Sequence, residues 1–170
     1  MDNLKIRKAV LQDVDELVRL NFAWYRPNLP DINNGFLSVT YDDSYFRNII
    51  EKEDIVVFNS GDKLIGYALV NTAVKTPHVL SIQEEYFSYR PENINKRVAF
   101  SYQILIDRDF QGTGFFYKAQ EEYLKYFAAK YDWLVSTINK ENTRSVNAHK
   151  KAGWTFIDTA KHYFIIEHKL

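Results

Sequence analysis

The stretch with the clearest chemical potential is Gln111-Gly112-Thr113-Gly114-Phe115-Phe116, which follows the apolar run Ile104-Leu105-Ile106 and Asp107. A strand that ends in a glycine turn and opens a helix aims several free backbone N–H groups at one point. The positive end of the helix dipole adds to them, and phosphate is the natural guest. Two nucleotide classes are excluded by the surroundings. No Gly-Lys-Ser/Thr follows, as a Walker loop needs, and Tyr117 stands where a dinucleotide fingerprint has its third glycine. A plain structural reading stands beside the ligand one, since two glycines also make a tight strand-to-helix connection that binds nothing.

A second constellation lies further on. Asn142, Ser145, His149 and Ala152 are separated by three, four and three residues, which lines them along one face of a helix. A histidine in the last turn of a helix is either a favourable charge at the negative dipole end or a group that handles protons. The other histidines, His78, His162 and His168, have no partners at metal-ligand spacing, and the chain has no cysteine. No metal site is expected, and Cys nucleophiles, disulfides and iron–sulfur clusters are excluded.

The rest of the composition narrows the classes further. Across 170 residues, 22 Lys and Arg balance 22 Asp and Glu, so no broad basic surface for nucleic acid or anionic lipid is expected. The first residues carry charges and no long apolar stretch follows, which predicts a soluble, cytoplasmic protein with neither signal peptide nor membrane span. The unusual feature is aromatic content: 12 Tyr, 12 Phe and 3 Trp.

The elements that must position these residues follow from periodicity. Alternation over Leu4 to Val10 predicts a strand. Asp13 with Glu16 resembles a capping box ahead of a helix to about Trp24, ended by Pro27 and Pro30. After a loop with Asn33, Asn34 and Gly35 come a helix from about Asp43 to Lys52 and a hairpin of Ile55 to Phe58 and Leu64 to Thr72, turning at Asn59 to Asp62. Residues 74–96 read as a helix-containing insertion, and Val98 to Asp107 as one long strand. The helix after Gly114 has Phe116, Ala119, Tyr123 and Phe127 as its expected inner face. A strand at Leu134 to Ile138, a helix from Asn142 to Ala152 closed by Gly153, and strands at Trp154 to Asp158 and Tyr163 to Glu167 complete a mixed α/β chain read as a single domain over residues 1–170.

With the element order in place, the turn at Gln111 resembles the Gln/Arg-x-x-Gly-x-Gly/Ala acyl-CoA loop of the GNAT superfamily of N-acetyltransferases. The run from Asn142 through Lys151-Ala152-Gly153-Trp154 resembles that family's late Asn…Lys-x-Gly-Phe segment. Gly66-Tyr67 in the hairpin and the opening strand with its helix fit the same plan, so the resemblance spans nearly the whole chain. It implies a GNAT-like fold: a mixed, mainly antiparallel central sheet with a splayed parallel strand pair, here about 98–107 and 134–138, flanked by helices. Phe116 departs from the pattern, because the family has Gly or Ala there. Its place on the Ala119, Tyr123, Phe127 stripe predicts that it points into the core.

The resemblance implies a function and a site. Acetyl-CoA is the expected cosubstrate and a primary amine of a small molecule or peptide the expected acceptor, with a homodimer as a family-level expectation. The pantetheine arm is expected along the main chain of Ile104, Leu105 and Ile106, and the pyrophosphate on the N–H groups from Gln111 to Phe116, that is Gln111, Gly112, Thr113, Gly114, Phe115 and Phe116. Asn142 and Ser145 are expected to hydrogen-bond the cofactor. His149 stands where many members have a Tyr that protonates the leaving thiolate, which makes it the candidate general acid. Glu84, Glu85, Asp107 and His78 remain open as the base.

Two regional biases complete the reading. Lys140, Arg144, Lys150 and Lys151 make residues 140–151 positive, suited to the CoA 3′-phosphate or simply a solvated helix face. Asp31, Asp42, Asp43, Glu51, Glu53 and Asp54 predict an acidic lip for a cationic amine, and rings near Trp24, Tyr41 and Tyr86 an aromatic acceptor pocket. The rival to the enzyme is a non-catalytic acyl-CoA-binding module.

Overall fold

A computed structural model describes residues 4–33, 35–52, 54–72 and 75–170; Asn34 of the early loop, Glu53 of the acidic segment and Val74 lie outside the described residues. The chain runs β1 (Leu4–Lys8), α1 (Val14–Ala23), α2 (Asp43–Glu51), β2 (Ile55–Ser60), β3 (Lys63–Leu69), α3 (Pro77–Tyr89), β4 (Val98–Phe100), β5 (Gln103–Ile106), α4 (Phe115–Ala128), β6 (Trp133–Asn139), α5 (Thr143–Lys151), β7 (Thr155–Asp158) and β8 (Tyr163–Lys169). The strands form two four-stranded sheets, β1-β2-β3-β5 and β4-β6-β8-β7. Every strand pair in them is antiparallel except β4 with β6. The expected mixed, mainly antiparallel α/β fold with one parallel pair is therefore present.

The long strand expected over Val98 to Asp107 is two strands. Ser101 adopts a left-handed φ of 58°, unusual for a residue with a side chain, and the chain changes sheets there. The break is pinned on both sides. Asn71 donates its side-chain amide to the Ser101 carbonyl at 3.0 Å, and the Ser136 hydroxyl donates to the Tyr102 carbonyl at 2.6 Å. Before the break, β4 pairs with β6; after it, β5 pairs with β3. Apolar alternation continues across Ser101, so nothing in the pattern marks the change of partner.

Two local expectations also change. Asp13 does not cap α1; its carboxylate accepts from the Val10 N–H at 2.8 Å and forms a bidentate pair with Arg7, while Glu16 pairs with Arg19. The inner face of α4 is Phe115, Ala119, Tyr123 and Phe127, all buried. With Gly114 as N-cap, the four-residue repeat starts at Phe115, and Phe116 lies about 100° further round the helix.

Three apolar clusters hold the layers. α1 and α2 cover one face of the first sheet through Leu17, Leu20, Phe46 and Ile49. α4 packs its buried stripe against Phe58, Ile65 and Leu134, and α3 lies over the second sheet through Val79, Ile82 and Tyr86. At Gly66 of β3 a methyl group would sit 2.2 Å from the Leu105 carbonyl oxygen, so only glycine lets β3 and β5 approach this closely.

Candidate active site

Past Ser101, β5 pairs only with β3, and its other edge borders a cleft of about 700 Å³ bounded by β5, the start of α4 and one face of α5. One edge of β5 is used by β3. Asp107 N–H donates to the Ile65 carbonyl at 2.7 Å, and alternation sends the main-chain groups of Leu105 the same way. The N–H and C=O groups of Ile104 and Ile106 therefore face the cleft. Their side chains only pack on the neighbouring core.

The start of α4 supplies a second row of main-chain donors. Side chains cap α2 (Asp42), α3 (Thr76) and α5 (Asn142), whereas the N-cap of α4 is Gly114 at φ 82° with no side-chain cap. The first N–H groups of this helix have no intrahelical acceptor, and here no side chain replaces one. Gly112, at φ 73°, and Gly114 both line the cleft with nothing near their Cβ positions. The arrangement is an anion site built from main chain. Thr113 and Phe115 turn their side chains elsewhere: the Thr113 hydroxyl donates to the Phe110 carbonyl and Phe115 is buried against Phe110.

Phe116 overturns the expectation of a core position. It lines the cleft with its ring centroid 5.6 Å from that of His149. Of the positive run, Arg144 and Lys151 line this cleft, while Lys140 pairs with Asp158 at 2.7 Å and Lys150 lies over the Phe156 ring. Asn142 is buried at the head of α5. Its side-chain oxygen Oδ1 accepts from the Ser145 N–H at 3.3 Å, and its side-chain amide donates to the Phe36 carbonyl at 2.9 Å. It thus fixes the helix and the loop opposite.

His149 stands at the junction. It lines the large cleft and also a second one of about 410 Å³ on the other side. Its ring is packed among Phe116, Tyr102 and Trp154, and burial pushes the imidazole down to about 4. Nδ1 is 2.8 Å from the Ser145 carbonyl, which can only accept, so Nδ1 carries the proton and Nε2 is a lone pair. Nε2 has no hydrogen-bond partner among the described residues.

The second cleft lies between the 36–41 loop, the start of α3, the β7–β8 turn and the break in β4–β5. Phe36, Tyr41, Tyr102 and Tyr163 give it rings, but the acidic lip is absent: no carboxylate lines it among the described residues. Asp42 caps α2, Asp43 pairs with Arg47, and Asp54 pairs with Lys130. Of the candidate bases only His78 reaches this cleft; Asp107 is tied to Arg19 and Lys63, and Glu85 to Lys161.

A sequence model described as Acetyltransferase (GNAT) domain matches residues 3–155 of the 170. The chain belongs to the GNAT acetyltransferases. No match to a curated protein is found. Among solved structures, the fold is similar to a GNAT-family acetyltransferase from Listeria monocytogenes, at TM-score 0.71 and 14% identity over 98% of this chain and 95% of that one. It is also similar to yncA, a putative acetyltransferase from Salmonella typhimurium with acetyl-CoA, at TM-score 0.67 and 16% identity over 99% and 95% of the two chains. A third likeness is to the paia N-acetyltransferase of Thermoplasma acidophilum in complex with coenzyme A, with TM-score 0.67 and 16% identity over 99% of each chain.

Within this GNAT chain, the large cleft brings together Ile104, Leu105, Ile106, Gln111, Gly112, Gly114, Phe116, Asn142, Ser145 and His149 from three separate segments. Sequence reading missed Gly35, Phe36 and Leu37, which form the opposite wall together with Trp24, a ring expected at the acceptor pocket instead. The Asn33-Asn34-Gly35 turn was their one available signal, and it says only that the chain bends there.

Proposed function

We propose that this protein moves an acetyl group from acetyl-CoA to a primary amine of a small molecule or peptide by direct attack. The reading is carried by one observation: the unpaired edge of β5 and the uncapped start of α4 open into the same cleft. An extended amide-bearing arm finds strand-like partners on Ile104 and Ile106, and a pyrophosphate finds the N–H groups from Gly112 to Phe116, that of Gln111 being donated to the Arg108 carbonyl at 3.1 Å. Leu105 contributes main-chain spacing, Ser145 faces the arm from α5, and Asn142 holds the start of that helix to the Phe36 loop. Arg144 and Lys151 supply positive charge at the cleft wall.

Acetyl-CoA supplies an activated acetyl group on a thiolate leaving group. The residues of this chain must then polarise the carbonyl, take a proton from the amine and give one to the sulfur. The cleft-facing N–H of Ile106 meets the first need. His149 meets the other two in sequence. Its Nε2 lone pair accepts the amine proton as the N–C bond forms, and the imidazolium so made donates that proton to sulfur as the C–S bond breaks. The ring ends neutral, as it began, and the family's acid role is kept with the proton's source specified.

Thiol release across a panel of amines, with calorimetry of acetyl-CoA binding, tests the proposal. Acetylated amine formed in step with free thiol is the expected result; binding without thiol release from any amine would overturn it. That outcome is the acyl-CoA-binding module, which the lack of a carboxylate among the described residues of both clefts favours as the second reading.

A further inference from the structure

The second cleft is large enough for a small molecule, and its chemistry differs from what a polycation needs. Its nitrogen-bearing side chains include Lys161, His78 and His162, its rings come from four aromatic residues, and hydroxyls such as Ser81 and Ser136 supply neutral hydrogen bonds. An acid behind the lining is Glu85, whose Oε2 accepts from Lys161 Nζ at 2.8 Å and from the Tyr163 hydroxyl. These two donors hold its carboxyl below the usual carboxylate range against the opposing effect of burial, so its charge is spent on the cleft wall. α3 adds the positive end of its dipole, with His78 in its first turn.

A protonated amine entering this space loses water without gaining a counter-ion, which is unfavourable for each charge carried. A second permanent cation on the same molecule repeats the loss. A less basic amine, such as an α-amino group with an ordinary value of about 8 against about 10.4 for a lysine side chain, arrives neutral far more often. We infer that the acceptor is a weakly basic monoamine on an uncharged, ring-bearing body, seated against Phe36, Tyr41 and Tyr163 with its nitrogen toward His149. This inference rests on the acetyl-transfer reading but concerns only the second cleft, and it reverses the sequence-level expectation of a cationic guest.

Binding and turnover separate the two claims. Calorimetry in the presence of coenzyme A would compare phenylalanine amide with spermidine, and thiol release would be followed for both. Phenylalanine amide is expected to bind at least tenfold more tightly, with little change on adding salt. Placing a carboxylate in the lining by Ser81→Asp is expected to shift the preference toward spermidine. Equal or tighter spermidine binding to the unsubstituted protein, weakened by salt, overturns the inference, as does failure of both amines to bind. If phenylalanine amide binds as expected and no thiol appears, the acetyl-transfer reading falls and the preference of the second cleft stands as a binding specificity alone. Should Ser81→Asp not fold, Lys161→Gln carries the same comparison, since it frees Glu85 as an acid at the cleft and is expected to improve spermidine binding.

Discussion

The two clefts share His149, Ser145 and Asn142 as a wall, yet they are built from different material. The larger one is mostly main chain: the free edge of a strand, the uncapped start of a helix and two glycines in left-handed conformation. The smaller one is mostly side chain: rings, hydroxyls and imidazoles drawn from six stretches of sequence. A main-chain site recognises what every acyl-CoA has in common, whereas a side-chain site differs with each substitution. The first is therefore a property of the family fold and the second of this chain.

The shared wall offers the sharpest way to break the comparison. His149→Phe is expected to lower kcat by about a hundredfold or more, the ordinary range for loss of a proton-transfer group, while calorimetry finds coenzyme A affinity nearly unchanged. A loss of affinity as large as the loss of kcat would show that His149 belongs to the cofactor side alone. The same residue carries a stability signature of similar size. Its folded-state value near 4 lies below the ordinary 6.5, so the unfolded chain gains a proton first as pH falls. Stability present above pH 6.5 is lost toward pH 4 at roughly 1.4 kcal/mol per pH unit, reaching about 3 kcal/mol. Denaturant melts at several pH values, compared with His149→Phe, isolate this slope, because His168 and the carboxylates titrate in both proteins.

The difference between the clefts also explains what could be read from the sequence. Gln111 to Gly114 and the Asn142, Ser145, His149 face were legible because each is local: a turn and a helix face are fixed by neighbours within a few residues. The hairpin, α4 and β6 were legible for the same reason. The break at Ser101 was not, since its left-handed backbone is held by Asn71 and Ser136, about thirty residues away on either side. Phe116 was misplaced because one residue of phase on α4 decides between the core and the cleft, and both neighbours are Phe or Tyr. The acidic lip failed for a different reason. Composition counts charges, but Asp42 is engaged by a cap, Asp43 by an ion pair one turn on, and Asp54 by the distant Lys130.

Gly114→Val tests the main-chain cleft alone. A β-branched residue at φ 82° is strained by about 1–2 kcal/mol even though its Cβ would meet nothing within 4 Å. The strain is relieved by turning the loop, which moves the free N–H groups away from a common point. Coenzyme A affinity is expected to fall roughly tenfold, equivalent to about 1.4 kcal/mol, with amine binding unchanged. Equal losses for both ligands would mean that the two clefts are one mechanical unit.

The smallest expected effect comes from the rim of the same cleft. Lys151 lies at the end of α5, exposed, on the cleft wall. A solvent-exposed cation contributes under about 1 kcal/mol to holding a phosphate and is screened by salt. Lys151→Ala is therefore expected to weaken coenzyme A binding by only about threefold to fivefold at low ionic strength, and the difference should vanish in high salt. The 3′-phosphate is the group it would face, so dephospho-coenzyme A should bind the variant and the unsubstituted protein alike. If the variant loses the same factor with both ligands, Lys151 acts on the pyrophosphate, and the positive run on α5 reinforces the main-chain anion site instead of extending it.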